Sequence, residues 1–303
     1  LEPASDLTPR IEPSPISTVT LQPYKQNPDL MPSDDYSGCS DHPCLLPGHF
    51  LLQNPIPAGY NQQVDHTYRF GTTQQGLREI HHGVEFANPS GTPVLAAADG
   101  VVVFAGDDSL VMLGLRTYFY GNVVVIEHHL EGFGEPYFTV YAHLSEVGVM
   151  NGDDVVSGQT IGKVGRSGSA VGSHLHFEVR REENTYDSVI NPELWLTLSP
   201  DPEGPTYGAL VGRIQNANLD PLRVTSIHLE YSQIEGGTVN GKILLPTYFD
   251  DRVNSDHAYR ENFAISSLQP GWYRVAFTAN GAYYSKWVEV APDMATYLFI
   301  SMK

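Results

Sequence analysis

The sequence predicts an all-β protein built from two successive units, and three observations carry that expectation. Gly (28), Pro (22) and Tyr (17) are abundant among 303 residues, the composition of short strands joined by turns. Segments rich in β-branched and aromatic residues recur between clusters such as Asn151-Gly-Asp-Asp154. Long runs of Leu, Ala, Glu and Lys at helical spacing are missing. Hydrophobic residues make up 41%, enough to fill real cores, which excludes wholesale disorder.

Taken in order, residues 1–48 carry many Pro, Ser and Asp without periodicity and read as an extended leader or linker. Residues 49–200 form a strand-dense unit. Within it Pro93–Ala98 and Val101–Ala105 flank Asp99-Gly100, a dipeptide that predicts a tight hairpin. Strands are expected at Asn122–His128, Tyr137–His143, Thr160–Val164 and Ser173–Arg180, with Asp107–Tyr120 an insertion or long loop. A Pro-rich linker near Ser199–Pro205 sets off residues 207–303. There, seven short strands (Ala209–Ile214, Val224–Leu229, Lys242–Leu245, Phe263–Ile265, Tyr273–Thr278, Tyr284–Val290 and Tyr297–Ser301) suit a small β-sandwich.

Charge excludes some partners. A formal charge of −18 with only 17 Lys+Arg repels phosphate backbones, so nucleic acid is not an expected partner. No run of 18 or more apolar residues is present, and no transmembrane segment is expected. The start at Leu1 rather than Met suggests a mature or truncated product whose signal peptide is not shown. Cys39 and Cys44, the only cysteines, suit a small disulfide loop in an oxidising compartment. Two ligands of a structural zinc site is the rival reading, though a second Cys/His pair at usable spacing is not evident.

Twelve histidines are unevenly spread, and three groups stand out: His81-His82-Gly-Val-Glu85, Tyr141-Ala-His143-Leu-Ser145 and Ser173-His174-Leu-His176-Phe-Glu178. In a strand, residues i and i+2 share a face, so His174 and His176 project together while Leu175 and Phe177 face the other way. An exposed pair of strand histidines has the same pattern, so that pair alone does not specify a metal. His81 and Glu85 add a second imidazole and a carboxylate; two His and one carboxylate is a ligand set of catalytic zinc sites. Each short motif is also compatible with a solvated charge or a loop cap. His143 gains weight only from this company, as a neutral imidazole suited to moving protons near pH 7. A His-Glu-x-x-His helix, a phosphate loop and a Gly-x-Ser-x-Gly elbow are all absent from the sequence.

Taken together, these blocks resemble the lysostaphin-type (LytM-like) zinc endopeptidases, peptidases of the bacterial cell wall. The match runs through most of residues 65–195. It includes Tyr68-Arg-Phe-Gly71, His81-His-Gly-Val-Glu-Phe86, Gly91-Thr-Pro-Val-Leu-Ala-Ala-Ala-Asp-Gly-Val101 and Gly121-Asn-Val-Val-Val-Ile-Glu-His128. It continues through Tyr141-Ala-His-Leu-Ser145, Gly158-Gln-Thr-Ile-Gly162, Gly172-Ser-His-Leu-His-Phe-Glu-Val-Arg180 and Asn191-Pro-Glu193.

The resemblance implies a groove of antiparallel β-sheet with Zn2+ at its floor, held by His81, Glu85 and His176, and with His143 and His174 as catalytic histidines. The family's carboxylate is Asp in His-x-Gly-x-Asp, and Glu85 is the one departure, adding on the order of 1 Å of reach. The implied function is hydrolysis of peptide bonds in peptidoglycan stem or cross-bridge peptides. Two alternatives stand beside it: a degenerate member that binds wall or activates a partner hydrolase, and a surface binding protein worked by its C-terminal unit. A fourth ligand from the leader side, Asn54 or Asn61, is suggested only by nearness in sequence. Gly208–Arg213 and Phe263–Val275 look like the prealbumin-like β-sandwich often appended to carboxypeptidases.

Overall fold

A computed structural model describes residues 39, 43–74, 76–199, 203–248 and 252–302. Among these the protein is almost entirely strand and turn. The first unit contains β1 (Cys44–Leu46), β2 (Val84–Phe86), β3 (Pro93–Leu95), β4 (Gly100–Asp107), β5 (Asn122–His128) and β6 (Tyr137–Leu144). It continues with β7 (Glu146–Val147), β8 (Asp154–Val155), β9 (Thr160–Lys163), β10 (Leu175–Arg181) and β11 (Val189–Ile190). The main sheet runs β11-β10-β6-β5-β4-β8, with β2 also paired to β10, and every pairing is antiparallel. A small sheet of β3, β9 and β7 lies beside it.

Alternation gives the main sheet two different faces. Val124, Ile126, Tyr141, Leu175, Phe177 and Val179 enter one apolar core with Val84 and Phe86. Val123, Val125, Phe138, Val140 and Ala142 build a smaller cluster on the opposite face. That second face also carries His176, Glu178 and Arg180, two residues apart along β10.

The expected hairpin at Asp99-Gly100 does not form. β3 pairs with β9 whereas β4 pairs with β5 and β8, so the dipeptide passes the chain from one sheet to another. Gly100 is there for close approach rather than for a turn: a Cβ at this position would lie 2.3 Å from the Glu127 carbonyl oxygen. The long loop expected at Asp107–Tyr120 is strand-free from Asp108 onward, and Asp108 anchors it by accepting the Tyr120 and Gly121 N–H groups at 2.9 and 2.8 Å.

The second unit contains β12 (Gly208–Asn216), β13 (Ile227–Ser232), β14 (Gly241–Leu245), β15 (Phe263–Leu268), β16 (Gly271–Ala279), β17 (Ala282–Val290) and β18 (Ala295–Met302). Two four-stranded sheets, β14-β13-β16-β17 and β1-β18-β12-β15, close around Leu210, Ile214, Leu229, Val275, Phe277 and Leu298. All pairings here are antiparallel except β12 with β18. The Cys39–Cys44 disulfide leads into β1, which crosses over to pair with β18.

The two units share a core. Val211, Ala264, Ala295 and Tyr297 of the second unit belong to the same apolar cluster as Val84 and Phe177 of the first. Trp195, fully buried, stacks on His49 at 4.4 Å and packs against Tyr137 at 4.5 Å. Polar contacts cross the seam as well: Glu193, whose Oε1 lies 3.3 Å from Arg69 Nη1 within the first unit, accepts the Ser266 N–H and hydroxyl of the second at Oε2, at 2.6 and 2.8 Å.

Candidate metal and catalytic centre

The register of β2 on β10 sets Glu85 directly opposite His176, so carboxylate and imidazole leave the sheet on one face. His81 arrives from the loop before β2, tied by its N–H to Thr72 O at 2.9 Å and by its carbonyl to Gly71 N at 2.8 Å. Gly83, between His81 and Glu85, lets this loop pass over β10. A Cβ there would meet Phe177 O at 2.4 Å and the His176 ring at 3.0 Å. Tyr68 stacks flat on the His81 ring, 4.0 Å between centroids.

Hydrogen bonds on the outer nitrogens fix which ring atoms face inward. His81 Nδ1 lies 2.7 Å from Tyr68 O, a pure acceptor, so Nδ1 carries the proton and Nε2 a lone pair. His176 Nε2 lies 3.0 Å from Glu178 Oε1. Burial pushes the Glu178 carboxyl up, but Arg180 and the His176 bond outweigh it and hold it well below the usual range. An ionised Glu178 only accepts, so His176 Nε2 donates and Nδ1 keeps the lone pair.

His81 Nε2 and His176 Nδ1 then meet 3.2 Å apart, lone pair to lone pair. Protonating His81 to relieve this is opposed by burial first and by His176 next, which push its pKa well below the ordinary histidine value. Glu85 Oε1 stands 3.7 Å from His81 Nε2, so Glu, despite its extra methylene, reaches the same point. One donor atom from each of His81, Glu85 and His176 falls within 4.8 Å of the others. Two imidazole nitrogens and one carboxylate oxygen, converging without protons between them, fit a zinc ion.

His143 reaches this face through a backbone irregularity. Strict alternation along β6 would put it with Tyr141 on the core face, opposite to Ala142, the cross-strand partner of His176. Instead β6 bulges against β5 between the pairs Val124–Tyr141 and Asn122–Leu144, and His143 adopts φ 62°. Leu144 thereby returns to the core. His143 Nδ1 donates between Tyr120 O (3.1 Å) and Ser167 O (2.9 Å), leaving Nε2 with a lone pair. Burial, then His176 and His174, depress its pKa to about 3.

His174 sits just before β10, where it bridges to Gly165. Its Nδ1 donates to Gly172 O at 3.0 Å, and its buried Nε2 has no hydrogen-bond partner, standing 3.5 Å from Glu85 Oε1. The His143 and His174 rings are 4.9 Å apart. Both line, with His81, Glu85 and His176, a cleft of about 470 Å³ walled also by Tyr68, Arg116 and Phe119. All five sequence-expected residues therefore meet in one place. Asn54 and Asn61 do not line this cleft; they hold the 54–62 turn and the Asn88 segment through Gln62 O, Ile56 N and Ala87 O.

Sequence reasoning missed the support behind His176. Glu178 accepts from His176, from the Tyr120 hydroxyl and from Arg180 Nε at 2.9 Å; Arg180 in turn donates to Tyr120 Oη and Leu113 O, both at 3.0 Å. The signal was present, because β10 alternation places 176, 178 and 180 together. His82 was adjacent to a ligand but turns away from it, with Nδ1 on Tyr186 O at 2.9 Å and its ring stacked on Tyr186.

Residues 79–188 match the model of the family described as Peptidase family M23. The chain is 33% identical over 178 residues to the DD-carboxypeptidase/endopeptidase Mpg of Neisseria meningitidis, a match covering 58% of this chain and 35% of that protein. It is 43% identical over 100 residues to the peptidoglycan DD-endopeptidase ShyA of Vibrio cholerae, covering 33% of this chain and 20% of that one. A solved structure of a zinc containing peptidase from Vibrio cholerae aligns with 30% identity and a TM-score of 0.36, over 45% of this chain and 38% of that one. The chain thus spans about a third or less of the length of these curated relatives.

Proposed function

Because residues 79–188 match the model of peptidase family M23, we propose that the chain is an active zinc metalloendopeptidase acting on peptidoglycan. Its substrates are the peptide bonds of stem or cross-bridge peptides, met in the cell envelope or outside the cell. The observation that carries this reading is the convergence of Glu85 Oε1 with His81 Nε2 and His176 Nδ1, whose ring protons are committed to partners on the far side, beside two further neutral histidines.

His81, Glu85 and His176 hold the metal. Zinc bound there supplies a Lewis acid for the scissile carbonyl and lowers the pKa of an adjacent water. His143 and His174 present basic nitrogens at Nε2, because their Nδ1 protons are committed to backbone carbonyls. In that tautomer each accepts a proton from the attacking water, or returns one to the leaving amine, without rotating its ring. The depressed His143 pKa keeps it neutral through the neutral range. Glu178 orients His176 and raises its basicity as a ligand, the usual part of a carboxylate behind a metal-bound imidazole. Residues 49–200 are the peptidase domain on this reading, and 207–303 an accessory domain packed on it through the shared core.

The test pairs metal analysis with digestion of defined muropeptides. One zinc per chain and release of peptide termini that stops with chelator and returns with zinc are expected. Recovery of the intact chain without zinc, or release that survives chelation, would remove the proposal.

A further inference from the structure

The walls of the histidine cleft each carry one arginine: Arg78 stands on the wall of residues 76–82, and Arg116 on that of residues 116, 119 and 169–171. The Arg78 guanidinium lies over the Tyr68 ring, 5.0 Å from its centroid, and Tyr68 in turn stacks on His81. Arg116 lies 5.4 Å from the Phe119 centroid, and its Nη2 donates to Ser169 Oγ at 2.8 Å. Stacking on an aromatic face sets where each cation sits without neutralising it.

Both are left unpaired in a chain with 35 Asp+Glu against 17 Lys+Arg. Arg69, Arg180, Arg181, Arg252 and Arg274 each stand within 4.0 Å of a carboxylate. Among the described residues no carboxylate pairs with Arg78 or Arg116, although Glu79, Glu85 and Glu178 line the same cleft. Those three are engaged elsewhere: Glu85 faces His81 and His174, Glu178 is held by His176 and Arg180, and Glu79 lies 4.0 Å from Arg252. A chain of charge −18 repels anionic peptides at long range, so two unpaired cations on the cleft walls reverse the local field where a substrate enters.

We infer that Arg78 and Arg116 are specificity residues, which favour peptides carrying free carboxylates near the scissile bond over the same peptides in neutral form. The inference rests on the peptidase reading above and narrows its substrates to carboxylate-bearing peptides. Tyr68 links Arg78 to a metal ligand through two ring contacts, a span that an extended peptide covers in about three residues at roughly 3.3 Å each. A carboxylate up to about three residues from the bond cut is therefore within reach of Arg78, and Arg116 serves carboxylates that lie toward its own wall. The cleft as a whole holds the peptide, and each solvent-accessible pair adds a preference of about two- to fivefold.

The test compares two cross-linked stem-peptide dimers, identical except that one has free carboxylates and the other has them amidated. With the full chain loaded with zinc, kcat/KM should favour the free-acid dimer about tenfold, and the margin should shrink as salt is raised. Arg78→Gln and Arg116→Gln, both at exposed positions, should each lower kcat/KM for the free-acid dimer about two- to fivefold, the loss falling on KM rather than kcat. The double variant should cut the two dimers with similar kcat/KM. Equal cleavage of both dimers by wild type, or a preference that survives in the double variant, overturns the inference and leaves the peptidase reading standing. If neither dimer is cut, the peptidase reading fails instead, and titration calorimetry with the same dimers decides. Tighter binding of the free-acid dimer, lost in the double variant, upholds the inference; equal binding, or none, overturns it.

Discussion

His143 shares a face with His176 only because its own backbone is left-handed, at φ 62°, inside a strand whose alternation would otherwise send it into the core. The position therefore has two separate requirements: a side chain with a basic nitrogen and a backbone that tolerates positive φ. Substitutions can separate them.

Asn tolerates the left-handed region and can still donate to the Tyr120 and Ser167 carbonyls, but it cannot accept a proton. His143→Asn should unfold within about 1 kcal/mol of wild type, while peptide release falls by about 10²–10⁴-fold. His143→Val, β-branched at positive φ, should cost about 1–3 kcal/mol more in urea denaturation. Equal stability of the two variants would contradict the bulge as the device that aims His143.

Behind His176, Glu178→Gln keeps the shape but removes the charge that fixes the ring proton on Nε2 and compensates Arg180, itself wholly buried. Zinc affinity measured by competition with a chromophoric chelator should fall by about 10–100-fold. The variant should also lose about 3–5 kcal/mol of stability, the order found when one partner of a buried ion pair is removed. Unaltered zinc affinity would reduce Glu178 to a structural role.

Away from the cleft, His128 tests how burial couples to pH. Burial lowers its pKa from 6.5, against the opposing pull of its bond to Asp99 O. The unfolded chain therefore takes up a proton below about pH 6.5 that the folded chain refuses. Its contribution is fully present above that pH and declines as pH falls toward the lowered folded value. The stability difference between wild type and His128→Gln should accordingly shrink from pH 8 to pH 5, by at most about 1.4 kcal/mol per pH unit. A difference that stays flat across that range would show that His128 is not held neutral.

At the seam, Glu193 is the one carboxylate holding Arg69 and Ser266 together. Glu193→Gln should destabilise the protein by about 3–5 kcal/mol through the uncompensated buried guanidinium. It should also speed proteolytic cleavage between residues 199 and 207 relative to wild type. Intact protein with an unchanged cleavage rate would mean that Glu193 does not help to join the units.

Much of the second unit was legible because its strands are long and alternate cleanly; Phe263, Ile265, Val275 and Phe277 enter the core just as period-2 patterning predicts. The same rule placed His174 and His176 in the cleft. It failed at His143, where a single inserted residue reverses the faces, and backbone handedness leaves no mark in a histidine code. It failed differently at Asp99-Gly100: the dipeptide suits a hairpin, but the local preference yields to the crowding of Gly100 against Glu127 O, a contact formed only when distant strands meet. The Tyr68 stack and the Asp108 anchor likewise depend on loops whose paths are set by the assembled sheet.

The pairing of β1 with β18, Cys44 opposite Tyr297, sets an order on folding. Contacts this far apart in sequence close late, since the loop entropy between them is met before the contact returns anything. Until β1 docks, β18 has a bare edge beside β12, an open row of backbone donors and acceptors of the kind that recruits other chains. The hazard for this protein therefore lies in the interval between completion of the second unit and capture of its own first strand, and refolding at high concentration should be limited by aggregation through that edge.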